Sequence, residues 1–249
     1  MNVLAVDCST DILAVAAGRN RGTPESSPLA PKHPYRDSTG HDPAPGAGFA
    51  SVAIDAGYRH AERLMGAVDF CLDECGLALA DIDLFACSGG PGSFTGLRIG
   101  LSTIKGLAYG TGKPFVLVPT LDAMASEWAG VSPVVVPVID AKRSRYFWAV
   151  YQAGRLVEGP RDAGADAILA AVSGYPEVLF AGPDADMLEG ILAERTGFRL
   201  AERSRRSPAV AMLDLAVTEF TAHGPAASDA APAYLRASDA EEAAEAARG

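Results

Sequence analysis

Apolar runs alternate with amphipathic segments along most of the 249-residue chain. Short apolar runs bounded by turn residues indicate buried strands, whereas apolar residues that recur at helical spacing indicate helices. We predict strands at 3–7, 12–18, 49–56, 84–88, 116–118, 134–139, 146–151 and 178–181. We predict helices at about 58–75, 95–108, 162–172, 184–193 and 208–223. Because strands alternate with helices in both halves, the pattern predicts an α/β fold of two lobes.

The predicted lobes are residues 1–110 and 111–236, with the helix at 208–223 as a candidate to pack back on the first lobe. Segment 20–48 holds six prolines and four glycines with almost no apolar periodicity. We interpret it as a disordered surface insertion within a hairpin. The Ala/Glu-rich tail at 237–249 is also predicted to be disordered.

Two of the predicted helices carry more apolar surface than one core contact requires. In the helix at 58–75, a second apolar line runs through Leu64, Ala67 and Cys71. In the helix at 95–108, small residues form a face separate from the apolar one, and small residues let another helix approach closely. These faces indicate either a partner surface or packing of the two helices on each other, and both can hold. The candidate partner-binding residues are His60, Leu64, Ala67, Val68, Cys71, Gly96, Ile99, Gly100 and Thr103.

Composition and charge narrow the function classes. The chain is 49% hydrophobic and 21% charged, typical of a globular protein, and no apolar run approaches the roughly 20 residues that span a bilayer. We see no secretory signal in its first residues. A net charge of −10 makes the chain a poor nucleic-acid binder on its own. The four cysteines lack Cys-x-x-Cys spacing, so we interpret them as small buried hydrophobes in a cytoplasmic protein: Cys8, Cys71, Cys75 and Cys87.

The stretch GGPGSFTGLRIG, residues 89–100, has the look of a phosphate-binding loop. It fits none of the P-loop, the dinucleotide fingerprint or the nucleophile elbow letter by letter. Its glycines and the first turn of the following helix nevertheless suit an anion, whereas a tight strand-to-helix turn without a ligand is the alternative. The candidate nucleotide or phosphate contacts are Gly90, Gly92, Ser93, Thr95 and Arg98, with Asp7 and Ser9 from the first strand and its turn.

Four segments resemble the TsaB (YeaZ) family of glycoprotease-like (peptidase M22-like) proteins: MNVLAVDCST, the block from 60 to 108, VIDAKRSRYFWAVY and APAYLR. The resemblance implies an actin-like (ASKHA) arrangement of two RNase-H-like lobes. It also implies a non-catalytic dimerisation subunit that pairs with TsaD and TsaE. In isolation we expect the partner surface to self-associate, giving a homodimer. That complex transfers threonylcarbamoyl from threonylcarbamoyl-AMP to N6 of adenosine 37 of tRNA, which this subunit would meet only through the complex.

The resemblance also implies that cofactors belong to the partners, with metal held by TsaD and ATP used by TsaE. TsaD carries a His-x-x-x-His metal motif, and Thr120 and Met124 stand at the matching positions here. The first actin-like phosphate loop has Ser9 where glycine is expected, the second has Lys142, and Gly182 alone remains of the adenosine-side pair. We therefore expect no catalytic residue and no metal. The alternatives are an actin-like nucleotide-binding enzyme, such as a sugar kinase, and a metalloprotease-like hydrolase.

Overall fold

The computed structural model describes residues 1–19, 48–193, 195–201 and 208–236. The first lobe contains β1 (Asn2–Asp7), β2 (Ile12–Arg19), β3 (Phe49–Asp55), α1 (His60–Cys75), β4 (Leu84–Ser88), α2 (Phe94–Thr111) and β5 (Phe115–Val118). A linking helix, α3 (Thr120–Ser126), follows. The second lobe contains β6 (Val134–Asp140), β7 (Tyr146–Gln152), β8 (Arg155–Ala163), α4 (Ala165–Ala171), β9 (Val178–Ala181), α5 (Glu189–Leu192) and β10 (Phe198–Leu200). The last helix is α6 (Ala209–His223).

The two sheets repeat one arrangement. The first has the order β3-β2-β1-β4-β5 and the second β8-β7-β6-β9-β10. In each, the first strand in sequence lies at the centre, antiparallel to the next strand and parallel to the one that follows the crossover. This confirms the predicted α/β fold class and its two related lobes.

All eight predicted strands are present, and two more were missed. β8 is the edge of its sheet, and its exposed residues Arg155, Leu156 and Val157 break any buried pattern. β10 has three residues and is too short to show a period. The predicted helix at 162–172 is wrong at its start, because β8 continues to Ala163. The predicted helix at 184–193 is a 3₁₀ turn, Ala185–Leu188, followed by the single turn of α5.

The helices cover both faces of the first sheet. Alternate residues of β1 point to opposite sides, as the pleat requires. Leu4 and Val6 pack beneath α1 and α2, whereas Val3 and Ala5 pack against α6. Although α6 follows the second lobe in the chain, its buried residues complete the core of the first lobe. No helix within the described ranges is both long and apolar enough to cross a membrane.

The predicted insertion at 20–48, apart from Gly48, and the predicted tail at 237–249 lie outside the described residues.

Candidate functional site: the glycine loop and the two-helix face

The glycine loop, residues 89–93, joins β4 to α2 and is fixed by its neighbours. The Gly89 N–H donates to the carbonyl of Val118 at 2.7 Å. Gly90 and Thr120 exchange two hydrogen bonds, one of 3.2 Å to the threonine hydroxyl and one of 2.9 Å to the glycine carbonyl. Ser93 caps α2, since its hydroxyl accepts from the Gly96 N–H at 3.3 Å. The loop is therefore tied to β5 and to the start of α3.

The backbone of this chain fills the space that the glycines leave free. The turn after β1 lies directly against the loop, and the Ser93 N–H donates to the carbonyl of Ser9 at 2.7 Å. A β-carbon at Gly92 would overlap that same carbonyl oxygen. A β-carbon at Gly96 would overlap the carbonyl oxygen of Cys8. The close approach that glycine permits is used here by protein backbone, in the place where a phosphate loop would use it for phosphate.

Residues 224–236, which we call the C-terminal strap, cover another side of the loop. The strap is hydrogen-bonded to the first lobe from the Ala226 N–H to the Phe115 carbonyl, at 2.8 Å, and from the Ala233 N–H to the Gly89 carbonyl, at 2.7 Å. The Lys105 ammonium donates to the Ala230 carbonyl at 2.7 Å. The strap thus crosses the lobe from β5 to the glycine loop.

At its end the strap reaches the second lobe. The Arg236 guanidinium donates to the carbonyl of Ala141, and its Nε lies 3.3 Å from Oδ2 of Asp162. Arg145 binds the other oxygen of the same carboxylate at 2.7 Å. The Asp162 side chain is only 9% exposed, whereas the two arginines that bind it keep 46% and 21% exposure. The network bridges the strap and the second lobe.

Asp7, a candidate phosphate contact, is buried and engaged locally. Its Oδ1 accepts from the Ser9 N–H at 2.9 Å. Burial raises the pKa of Asp7, and hydrogen bonding from Ser9 opposes the rise. The carboxyl therefore stabilises the turn between β1 and β2.

The residues of the second lobe that we aligned with a nucleotide motif are also engaged by the chain itself. Lys142 is exposed and forms an ion pair of 2.8 Å with Asp140, and the Asp140 N–H donates to Asp184 at 2.9 Å. A β-carbon at Gly182 would lie 2.5 Å from the Val138 carbonyl oxygen. Gly182 is therefore required by packing on β6, whatever else it does.

The residues of this chain do not fit the metal site that the resemblance assigns to TsaD. Thr120 is buried in the glycine-loop contact, and Met124 is buried in a core cluster. The His60 ring donates to the Thr10 carbonyl at 2.9 Å, while His223 lies at the exposed end of α6, 3.0 Å from Glu219. Among the described residues, no three of His, Cys, Asp and Glu come together as a metal site.

The four cysteines are free thiols. On α1, Cys71 donates to the Val15 carbonyl at 3.5 Å and Cys75 to the Ala17 carbonyl at 3.1 Å. Burial raises the pKa of Cys71 to about 11 and that of Cys87 to about 12, so these thiols stay protonated and unreactive at neutral pH.

The structure corrects the side chains that we assigned to the partner surface. Leu64 and its neighbours on α1 pack on the first sheet, and a β-carbon at Gly100 would lie 3.5 Å from the Cys8 sulfur. Ile99 and Thr103 alone are partly exposed. Seven of the nine candidates are buried within the lobe: His60, Leu64, Ala67, Val68, Cys71, Gly96 and Gly100.

The accessible face of α1 and α2, which we call the two-helix face, retains Ile99 and Thr103 from the nine candidates and otherwise consists of residues that we did not predict. Periodicity identifies the apolar lines of a helix, but it does not show which line packs on the sheet. For that reason the sequence did not predict this face. Met65 is 43% exposed, and Tyr109 is almost fully exposed. The face comprises Ala61, Met65, Ile99, Ser102, Thr103, Gly106 and Tyr109.

A shallow pocket of about 460 Å³ opens at one end of the two-helix face. The Arg98 guanidinium lies 3.8 Å from the centre of the Phe94 ring, and its Nε donates to the Tyr234 hydroxyl at 3.2 Å. Three candidate phosphate contacts, Ser93, Thr95 and Arg98, are exposed to solvent. Gly90 is buried, and Gly92 and Ser9 lie in backbone contact. The pocket is lined by Ala61, Phe94, Thr95, Arg98, Ile99, Ser102 and Thr103.

Two repeated mixed sheets, one of them covered on both faces by helices, define an actin-like α/β protein of two RNase-H-like lobes. A solved Pseudomonas aeruginosa structure, described as an uncharacterized protein with similarity to peptidase YeaZ, superposes with a TM-score of 0.72 at 25% identity. The superposition covers 94% of this chain and 99% of that one.

Sequence comparison agrees with the fold. The family described as TsaD, tRNA N6-adenosine threonylcarbamoyltransferase, matches residues 54–186. The tRNA threonylcarbamoyladenosine biosynthesis protein TsaB of Bacillus subtilis is 30% identical over 193 residues, which cover 73% of this chain and 82% of that protein. The chain belongs to the TsaB (YeaZ) family.

An uncharacterized Mycobacterium tuberculosis protein is 38% identical over 138 residues. That match covers 53% of this chain and 64% of the mycobacterial protein, so it spans less than two thirds of that relative.

Proposed function

We propose that this chain is the non-catalytic scaffold subunit that binds TsaD, with TsaE, in the cytoplasmic complex that adds threonylcarbamoyl to adenosine 37 of tRNA. Family membership supports the pathway. The observation that carries the non-catalytic role is the backbone contact at Gly92 and Gly96, because the carbonyls of Ser9 and Cys8 lie where a phosphate would have to approach. Nucleotide and metal chemistry then belong to the partner subunits.

The two-helix face supports a docking role. Met65 on α1 and Tyr109 on α2 are large side chains with 43% and 93% exposure on adjacent helices. Ser102 and Gly106, exposed on the same face of α2, present little bulk, so a partner helix can approach closely. An interface of ordinary size on such a face, about 800 Å² from each partner, is sufficient for a stable dimer. In isolation the same face would pair two copies of this chain.

The charge balance supports an indirect contact with tRNA. A chain of net charge −10 gains little from the counterion release that drives binding to phosphates. The positive surface that holds tRNA is then supplied by the partners. Direct binding of tRNA by the isolated chain at physiological salt would contradict this part of the proposal.

A binding experiment tests the docking face. Ser102→Arg places a long cation at an exposed position in the centre of α2, and it should abolish co-purification with TsaD of the same organism while leaving the fold intact. Arg155→Ser, an exposed position on β8 of the second lobe, is the control. A complex that survives Ser102→Arg would contradict the assigned face.

The competing functions make separate predictions for the isolated chain. An actin-like nucleotide-binding enzyme would be thermally stabilised by ATP, since a ligand that binds the folded state raises its stability. A metalloprotease-like hydrolase would purify with zinc and lose activity on chelation. ATP hydrolysis or stoichiometric zinc in the pure chain would overturn the non-catalytic role without affecting the docking proposal.

A further inference from the structure

The pocket at the end of the two-helix face carries one charged lining residue. Arg98 shares it with apolar side chains, including Ala61 and Ile99, and with the hydroxyls of Thr95 and Ser102. The charge lies on the side of the molecule that the proposed function assigns to a partner. Its chemistry therefore bears on what the partner presents.

The Arg98 guanidinium contacts two aromatic side chains of the chain itself. The Phe94 ring lies beneath it, at 3.8 Å, and the Tyr234 hydroxyl accepts from Nε at 3.2 Å. The two rings also contact each other, with centroids 4.7 Å apart. Stacking on an aromatic face and a hydrogen bond to Nε leave the two terminal amino groups of the guanidinium as remaining donors.

Those donors have no anionic partner in the part of the chain that the structure describes. The ion pairs recorded among its described residues do not include Arg98. A guanidinium fixed by stacking loses little further freedom when it binds, and its planar fork matches a carboxylate in a bidentate manner. Such a group is suited to recognition rather than to the stability of the lobe.

We propose that this pocket receives an aspartate or glutamate side chain of the docked TsaD subunit and that Arg98 clamps its carboxylate. The inference rests on the docking role proposed above and adds the chemistry of the partner residue. A carboxylate on a hydrocarbon stem fits the lining, because methylenes can pack on Ala61 and Ile99 while the head group meets Arg98. A tRNA phosphate fits less well, since it carries no apolar stem and the pocket offers a single cation.

Tyr234 is a positioning residue in this arrangement, because it acts on the partner through Arg98. It belongs to the C-terminal strap, so the strap contributes to the partner site as well as to the glycine loop. Tyr234→Phe keeps the ring contact with Phe94 and removes the hydroxyl that accepts from Nε. The variant should weaken TsaD binding less than loss of Arg98 does, and in the Arg98→Gln background it should have no further effect.

Calorimetric titration with TsaD of the same organism tests the clamp. We expect Arg98→Gln to weaken binding roughly 10- to 100-fold, and Arg98→Glu to weaken it more because two carboxylates would then oppose each other. Arg98→Lys should not restore wild-type affinity, since an ammonium cannot form the bidentate pair. The affinity of the wild type should fall with added salt more steeply than that of Arg98→Gln. Arg155→Gln and Arg155→Glu, on the second lobe, are the charge-matched controls.

The outcomes separate the clamp from the docking face. If Arg98→Gln and Arg98→Glu bind like the wild type while Ser102→Arg abolishes binding, the docking face stands and the clamp is wrong. If Ser102→Arg also binds normally, both proposals fall. If inorganic phosphate strengthens wild-type binding and Arg98→Gln removes that effect, the guanidinium binds phosphate, and the carboxylate proposal is overturned.

Discussion

The carbonyl oxygen of Ala233 lies 2.5 Å from the position that a β-carbon on Gly90 would occupy. These residues are far apart in sequence, one in the glycine loop and one in the C-terminal strap, and a hydrogen bond of 2.7 Å from Ala233 to Gly89 holds them together. The glycine at position 90 is thus needed by a contact within the chain.

Gly90→Ala should therefore destabilise the fold. Alanine would meet the Ala233 carbonyl and would also have to adopt a φ of +97°. We expect a loss of about 2–4 kcal/mol in the free energy of unfolding, measured by urea denaturation. Gly106→Ala on α2 is the matched control, since nothing lies within 4 Å of its β-carbon position, and it should stabilise the helix by up to about 1 kcal/mol. Equal effects at both sites would show that the strap moves aside easily.

Arg236→Ala should loosen the bridge between the lobes. The substitution removes the bonds to Ala141 and Asp162, although Arg145 still pairs with the carboxylate. We expect a loss of about 1–2 kcal/mol, less than for a fully unpaired buried charge. Hydrogen exchange should be faster at the strap amides of Ala233 and Ala226 than in the wild type. Arg155→Ala, an exposed arginine in the same lobe, should change neither measurement.

Asp7→Asn should reveal the cost of a buried charge. Because burial raises the pKa of Asp7, the folded state keeps its proton at pH values where the unfolded chain has lost it. The free energy of unfolding of the wild type therefore falls as pH rises above the unfolded pKa, about 3.9, until the folded carboxyl ionises. Asparagine still accepts from the Ser9 N–H but does not ionise.

We thus expect Asp7→Asn to be more stable than the wild type at neutral pH, with the difference vanishing below about pH 4. Urea denaturation at a series of pH values measures it, with Asp69→Asn, at an exposed position on α1, as the control. If the Asp7→Asn variant is less stable than the wild type at every pH, the favourable interactions of the carboxylate exceed the free-energy cost of burying it.

The strands of both lobes could be predicted because buried central strands are continuous apolar runs. β1 and β4 are buried at nearly every position, and the sequence shows them as VLAVD and LFACS. β8 could not be found in this way, since an edge strand exposes residues such as Leu156 and Val157. The edge strand β3 was predicted because FASVAID is mostly apolar, so local pattern identifies apolar strands better than largely polar ones such as RLVEGPRDA of β8.

The glycine loop was identified from sequence, but its contacts could not be. The glycines in residues 89–100 predict that some group approaches Gly92 and Gly96 closely. The sequence does not identify that group. The structure supplies the backbone of Ser9 and Cys8 from the neighbouring turn and of Ala233 from the strap. Such long-range contacts depend on the topology of the sheet, which residue spacing does not encode.

Leu64 and Met65 provide a direct test of which face of α1 is free. They are adjacent in sequence, yet Leu64 is 1% exposed and packs on the first sheet, whereas Met65 is 43% exposed on the two-helix face. Leu64→Glu should unfold the lobe, because a carboxylate without a partner would enter the core. Met65→Glu should leave the melting temperature within a few degrees of the wild type and weaken TsaD binding at least about tenfold, through an unpaired charge in an apolar interface.

Circular dichroism melting and titration with TsaD measure the two effects on the same samples. If Met65→Glu binds as the wild type does, the exposed apolar line of α1 is not part of the interface. If the Leu64→Glu variant folds, the packing of α1 on the sheet is wrong. The sheet covers Leu64, so a glutamate there could reach solvent only if the helix moved. Together the two variants distinguish two cases for α1. In one, the helix packs on the sheet with one face and binds a partner with the other; in the other, it only packs on the sheet.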